Sequence, residues 1–587
     1  MRTEWDLSIF YRGFDDPAFA RDLKALPGAI AEADAAIRAE TDDHASKLRA
    51  LIERLGALDD MMERLGMMIE LTLSCDAEHE QANAAITPLM SADVAYRLMR
   101  MAFRRYVASI PDLNAVLDSD ETLRANAFAL RECAEYMKHW MDETVEGPVL
   151  RMQSSGGTMF SQLRDKLDAT LLIDFRGEQL PLSAVRAMAS SADAAVRREA
   201  YEAELAAYKK VDLPMSYCLN AIKAEARTIA ELRGFDSVLS MTLFESRMDD
   251  KTLCAMWAAI REALPQLREY FKAKAKLLGH EGGLPFYDLL APVGESHRTY
   301  TLEEARDLLL RVFGDFSAEM RDMMAEAFES GWIDAYPHSG KSGGAFCAGS
   351  YQHNQSRIMT NFTGSLEGVS TLAHELGHAF NNRMLARVPR LMTDTPMPLA
   401  ETASTFNEEL LSATLRRSAG PEEELLLLDA GLTESMQTMV DIYSRFLFEQ
   451  KVVEAQADHA LSVRELCDAM LWAQDETYGD GLAPDARHPY MWACKGHYYS
   501  PGMHFYNFPY AFGSLFARGL YARYAKEGQA FVPVYCDLLS RFGSGTIADV
   551  AASVGLDVTA PAFWQDAVAS VLEEVRRFVK LADQAAR

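Results

Sequence analysis

TLAHELGHAF, residues 371–380, sets two histidines four positions apart with a glutamate directly after the first. On an α-helix, positions i and i+4 share a face, so His374 and His378 point the same way and two imidazoles can hold one ion. Glu375 falls about 100° further round, where the base of an H-E-x-x-H motif reaches a water beside the metal rather than the metal itself. Leu372, Leu376 and Phe380 recur at i, i+4 and i+8 and form an apolar stripe. The helix therefore has a core side and a chemical side. The plainer alternative is an amphipathic helix carrying two ordinary histidines; the motif in this amphipathic setting favours the metal.

Two histidines do not complete a catalytic zinc site, which uses three protein ligands and keeps a position open for water. A metzincin would continue with glycine and histidine at positions 381 and 384, where this chain has Asn381 and Met384. A carboxylate from a following helix remains. MPLAETASTFNEELL (397–411) offers Glu401, with Glu408 two helical turns later on the same face. Glu401 reads as the third ligand and Glu408 as an acceptor that orients a ligand imidazole. A solvated acidic helix is the competing reading. Against it, Ala403, Ser404 and Thr405 keep the helix slim near the carboxylates, and Leu399, Phe406, Leu410 and Leu411 predict that it is mostly buried.

Upstream, GWIDAYPHSGKSGGAFCAGSYQHNQSRIMTNFTGS (331–365) is rich in Gly and Ser, and the few strands are expected here. Gly340-Lys341-Ser342 resembles the end of a phosphate loop, but the first glycine of that motif would fall on Ala335, and Gly343 and Gly344 follow where a helix should open. The stretch reads instead as a glycine loop beside an edge strand, SRIMTNF (356–362), just before the motif helix. An unpaired edge there could hold an extended peptide through its backbone; the strand could equally be only structural.

Further out, residues 18 to about 150 carry helical periodicity, as in KLRALIERLGALDDMMERLGMMIEL (47–71). Punctuation at ALPGAI, CDAEHEQ and SIPDLN predicts short packed helices rather than one coiled-coil rod. LLIDFRGEQLPLSAV (171–185) predicts a hairpin or exposed turn around Arg176-Gly177-Glu178. Helical patterning resumes at Met188, and GHEGGLPFYDLLAPVG (279–294) reads as a loop system. A division is expected near 195, giving an N-terminal helical lobe (1–195) and a catalytic domain (196–587).

The 587 residues are 49% hydrophobic and 25% charged, which is ordinary globular composition. A net charge of −27 argues against nucleic acid and anionic membrane as partners, since both would repel it. Eight cysteines are scattered with no C-x-x-C pair, which suits reduced thiols; none is read as a ligand. The first twenty residues lack the apolar segment of a signal peptide, and no stretch approaches about twenty uninterrupted apolar residues, so a cytoplasmic protein is expected.

TLAHELGHAF followed by AETASTFNE, the C-terminal FYNFPYAFGSLF (505–516) and the opening WDLSIFYRGFDDPAF (5–19) together resemble the oligoendopeptidase F branch of the thimet oligopeptidase family of zinc peptidases. The resemblance spans essentially the whole chain. It implies a mainly α, elongated, two-lobed molecule with a deep substrate channel, a small β-sheet beside the zinc helix, one zinc per chain, and cleavage of short unstructured peptides. Carried over, His374, His378 and Glu401 are the ligands, Glu375 the general base and Glu408 the carboxylate behind them. The resemblance also implies a C-terminal histidine and tyrosines that contact substrate, here His497, Tyr506 and Tyr510 in KGHYYSPGMHFYNFPYAFG (495–513). His504 competes with His497, Gly513 stands where some members have a further tyrosine, and Asn381 stands where many have histidine. Trimming from chain ends, as a dipeptidyl carboxypeptidase of the same family does, is the alternative activity; a helical scaffold with a structural metal is the alternative from another class.

Overall fold

In the computed structural model, which describes residues 1–294 and 298–585, 72% of the chain is helical and the strands are few. The fold class is thus mainly α, as expected. The N-terminal part opens with helices Pro17–Arg38, His44–Cys75 and Glu80–Ala108. These pack through Leu26, Ile30, Leu48, Leu55, Leu65 and Phe103 into a cluster running from Phe10 to Leu130. The helices pack as expected but are not short. Pro27-Gly28 does not end the first helix, because Leu26 and Ile30 on either side are buried against the neighbouring helices and that burial outweighs the lost backbone hydrogen bond. The other two punctuation sites do end helices, at Cys75 and at Ala108.

The predicted hairpin is present: Leu172–Phe175 pairs antiparallel with Glu178–Pro181. Arg176 and Gly177 both take positive φ (52° and 86°), the backbone of a tight two-residue hairpin turn. This hairpin belongs to a second cluster that combines Leu171–Ile222 with Phe448–Tyr499. The largest cluster runs from Ala226 to Ala582 and holds the motif helix, Leu366–Leu385, near its middle.

A three-stranded sheet lies beside that helix. Gln355–Met359 is its central strand, paired antiparallel with Phe346–Ser350 and parallel with Ile333–Asp334. SRIMTNF is therefore not an edge. Ser356, Arg357, Ile358 and Met359 are buried, and the available edge is the half-exposed strand Phe346–Ser350. Arg357, the charged residue of this strand, is buried with its guanidinium donating to the Asp6 carbonyl (2.9 and 2.7 Å). Lys341 is also buried, with its ammonium on Asp334, so the Gly-Lys-Ser tripeptide presents no cation to a phosphate.

Candidate metal centre

The motif helix is capped by Ser365, whose side chain accepts from the Gly368 amide at 3.1 Å. Leu372, Leu376 and Phe380 are fully buried, so the apolar stripe anchors the helix as its spacing predicts. The helix Thr402–Ser418 crosses it at very short range. A Cβ on Gly377 would stand 2.6 Å from the Ala403 carbonyl oxygen and 2.7 Å from the Ser404 Cα. The glycine inside H-E-L-G-H and the small residues opposite it are thus one device that lets two backbones touch. Asn407, fully buried, donates to the Ala373 carbonyl at 3.0 Å and fixes the register of the pair.

That register brings the expected ligands together. His374 Nε2 and His378 Nε2 each lie 3.3 Å from Glu401 Oε2. One donor atom from each of the three residues lies within 4.8 Å of the other two. Glu401 precedes the first turn of its helix, and Ser404 Oγ donates to its carboxylate at 3.0 Å. Glu408, two turns on, approaches His374 Nδ1 at 3.2 Å. A carboxylate there holds the proton on Nδ1 and turns the Nε2 lone pair inward.

Glu375 is 5% exposed, and its Oε2 has no hydrogen-bond partner. Burial pushes its carboxyl above the usual range. Burial would also lower His374, but hydrogen bonds to Glu401 and Glu408 hold it up at about 10. Against the upward push of burial, hydrogen bonds with His374 and His378 hold Glu401 well below the usual carboxylate range. Three carboxylates thus crowd two imidazoles, an excess of negative charge that suits a divalent cation. The orphaned Oε2 beside the donor set is where a water needs an acceptor. The residues fit zinc: imidazole and carboxylate donors from two rigid helices, with a neighbouring base that is not itself a ligand.

The C-terminal residues assemble on the helix Phe508–Glu527 and the turn before it. The Tyr506 and Tyr510 hydroxyls are 2.9 Å apart. Tyr510 is raised by burial, by Tyr506 and by the charge of Glu401. His497 is half-buried, its ring centroid 6.3 Å from that of Tyr506 and its inaccessible Nε2 unpartnered. Burial and the cations Arg445, Lys223 and Lys495 push it down to about 2, so it is a neutral imidazole. His504 points elsewhere: its Nδ1 is 3.4 Å from Lys223 Nζ, inside a buried cluster with Glu449. Gly513, in the helix Phe508–Glu527, packs against the start of the ligand helix, where a Cβ would meet Glu401 Cβ at 3.4 Å. Asn381 is buried with its Oδ1 unpartnered and contributes nothing to the donor set.

Several positioning residues were not picked out from the sequence. Arg518 is buried between Glu409 (2.7 Å) and Glu574 (3.2 Å), and Arg416 also bonds Glu574 (2.6 Å). Together they tie the ligand helix to the last helix, Pro561–Ala585. Charged residues distant in sequence carry no mutual signal until the fold pairs them. Next to Glu408 is a cavity of about 500 Å³, also bordered by Ser370, Thr405, Glu434, Ser514 and Arg518.

Two histidines and a glutamate gathered on crossed helices, with a second glutamate free beside them, are the donor set of a metallopeptidase. Residues 187–570 match Peptidase family M3, and the chain belongs to that family; it is a metallo-oligopeptidase. It is 24% identical to an oligoendopeptidase F homolog of Lactococcus lactis over 569 residues, 95% of this chain and 93% of the relative. It is 24% identical to oligopeptidase PepF of Bacillus subtilis over 542 residues, 89% of this chain and 79% of the relative. Among solved structures, a Chlamydophila abortus protein described as a peptidase superposes with TM-score 0.87 at 20% identity, covering 99% and 98% of the two chains. Oligoendopeptidase F from Enterococcus faecium superposes with TM-score 0.69 at 18% identity, covering 97% and 99%. These superpositions establish the shared, mostly helical fold.

Proposed function

We propose that the enzyme is a zinc-dependent endopeptidase of short, unstructured peptides, with His374, His378 and Glu401 as ligands and Glu375 as general base. The observation that carries this is the unpartnered, buried Oε2 of Glu375 next to two imidazole nitrogens that converge on Glu401. A zinc ion bound there supplies a Lewis acid that acidifies water and polarises a carbonyl. Glu375 Oε2 takes the proton from the attacking water and passes it to the leaving amine. Glu408 keeps His374 oriented throughout by accepting from Nδ1. Tyr506 and Tyr510 share one hydrogen bond between their hydroxyls, which leaves one phenol proton free to donate to the carbonyl oxygen as it gains charge. His497, neutral and with a free Nε2, is a second polar contact for the peptide.

The peptide lies extended along Phe346–Ser350. In support, this strand packs against the motif helix, where Asn382 Nδ2 lies 3.7 Å from Cys347 Sγ, and one side of it is already occupied by Gln355–Met359. Main-chain pairing to a strand selects for extended conformation rather than for particular side chains, which predicts broad specificity. The net charge of −27 speaks against nucleic acid as a ligand, and no helix among the described residues is long and apolar enough to cross a membrane. A cytoplasmic enzyme is the reading that the scattered cysteines, all eight of them free, support.

The test is cleavage-site mapping on a mixed library of peptides with both ends blocked, run with and without a chelator. Internal cuts that vanish on chelation and return with zinc are expected. Cleavage that requires a free C-terminus would replace this reading with a dipeptidyl carboxypeptidase, and chelator-resistant cleavage would remove the metal from it.

A further inference from the structure

A second set of donor atoms converges where the N-terminal helices meet the sheet beneath the motif helix. Cys75 is the last residue of helix His44–Cys75, Asp334 ends the parallel strand Ile333–Asp334, and His338 follows in the glycine loop. One donor atom from each lies within 4.8 Å of the other two. The seam is already stitched by backbone: the Ser342 amide donates to the Ser74 carbonyl (2.8 Å) and the Ala77 amide to the Gly340 carbonyl (3.1 Å).

The surroundings prepare each donor. Lys341 Nζ, fully buried, bonds Asp334 Oδ1 at 2.6 Å and the carbonyls of Asp334 and Tyr336 at 3.2 and 2.8 Å. This pins the carboxylate and the loop that carries His338, and leaves Oδ2 available. His338 Nδ1 lies 3.0 Å from the Ser339 carbonyl, which can only accept, so Nδ1 carries the proton and Nε2 presents a lone pair. Burial and the Asp334 carboxylate push the Cys75 thiol up to about 12, and Asp334 bonds Lys341 instead of orienting His338. A cysteine nucleophile activated by histidine is therefore not what this cluster builds.

We propose that Cys75, Asp334 and His338 form a second zinc site that clamps the N-terminal helices to the catalytic sheet. Thiolate, imidazole and carboxylate together select zinc over magnesium or calcium, which take oxygen donors. Tetrahedral zinc with bonds of about 2.0–2.3 Å holds its ligand atoms roughly 3.3–3.8 Å apart, so donors within 4.8 Å of one another need to close by no more than about 1.5 Å, which the exposed His338 can supply. Water takes the fourth position. The ion would couple helix His44–Cys75 to a strand hydrogen-bonded to Gln355–Met359, the segment that leads into the motif helix.

Cobalt(II) distinguishes this site from the centre on the motif helix, because only a thiolate ligand adds sulfur-to-cobalt charge-transfer absorption in the near ultraviolet. Titration of the metal-free, full-length enzyme is expected to develop that band to one equivalent per chain. Glu401→Ala and Cys347→Ser should keep it, while Cys75→Ser and His338→Ala should lose it. Bound zinc should fall from two per chain to one in Cys75→Ser. His338 is exposed, so His338→Ala should match the wild type in thermal midpoint without metal and lose part of the rise that zinc produces. Absence of the band at saturating cobalt, or its survival in Cys75→Ser, would overturn the proposal.

Discussion

At the scale of single residues, Glu375 and Glu401 both feel the charge of the two histidines but have different work. Glu401 shares its Oε2 with both Nε2 atoms, whereas Glu375 keeps a free oxygen. Glu375→Gln should therefore retain close to wild-type zinc and lose most turnover, and Glu401→Ala should lose turnover together with the one zinc of the motif-helix centre. Metal analysis of each purified variant alongside its rate separates the two, and a Glu375→Gln enzyme near wild-type rate would refute the assigned base. Removing a single oxyanion donor typically costs about a hundredfold or more, so Tyr510→Phe should lower kcat by that order with little change in KM. Single-turnover rates measured at saturating peptide read this directly.

At the scale of elements, the contact between the motif helix and Thr402–Ser418 depends on Gly377. A methyl group there would run into the backbone of Ala403 and Ser404, which cannot rotate away as a side chain could. Gly377→Ala is expected to destabilise by about 1–3 kcal/mol and to weaken metal binding, because the shift separates His374 and His378 from Glu401. Parallel measurements of the denaturant midpoint and zinc affinity are the check; unchanged values in both would mean the helices have room to spare. The buried pair Lys223–Glu449, 2.5 Å apart with both side chains nearly inaccessible, is a second element-scale anchor, since Glu449 also accepts from the Phe505 amide next to Tyr506. Glu449→Gln leaves Lys223 with an uncompensated charge and should cost about 3–5 kcal/mol in unfolding free energy.

At the scale of the whole molecule, the proposed metal centre lies on the largest of the three apolar clusters among the described residues, which also takes in the motif helix and the helix Phe508–Glu527. A peptide that must lie along Phe346–Ser350 has to arrive extended, and a folded domain would first have to unfold, at a cost of about 5–15 kcal/mol. One sequence presented as a free peptide and within a stable folded domain should be cut only in the first form. Equal cleavage of both, followed by mass spectrometry, would rule out restricted access while leaving the zinc chemistry untouched.

H-E-x-x-H and the following carboxylate helix were legible because their information is local. Four-residue and seven-residue spacings place side chains on one face of a helix whatever surrounds it, and the apolar stripe of Leu372, Leu376 and Phe380 says which face is buried. The hairpin at Arg176-Gly177 was legible for the same reason. The place of SRIMTNF in its sheet was not local: its centrality comes from Phe346–Ser350 on one side and Ile333–Asp334 on the other, and pairing partners are set by the fold rather than by a strand's own composition. Nor was the choice between His497 and His504, which differ in sequence setting far less than in surroundings, one beside Tyr506 and the other against Lys223. The sequence by itself determined the helical class and the helix faces that carry His374, His378 and Glu408, since each rests on periodicity along one chain. Only the tertiary structure decided which strand offers an edge, which histidine joins the tyrosines, and that Cys75, Asp334 and His338 meet, because contacts between distant segments depend on how whole elements pack.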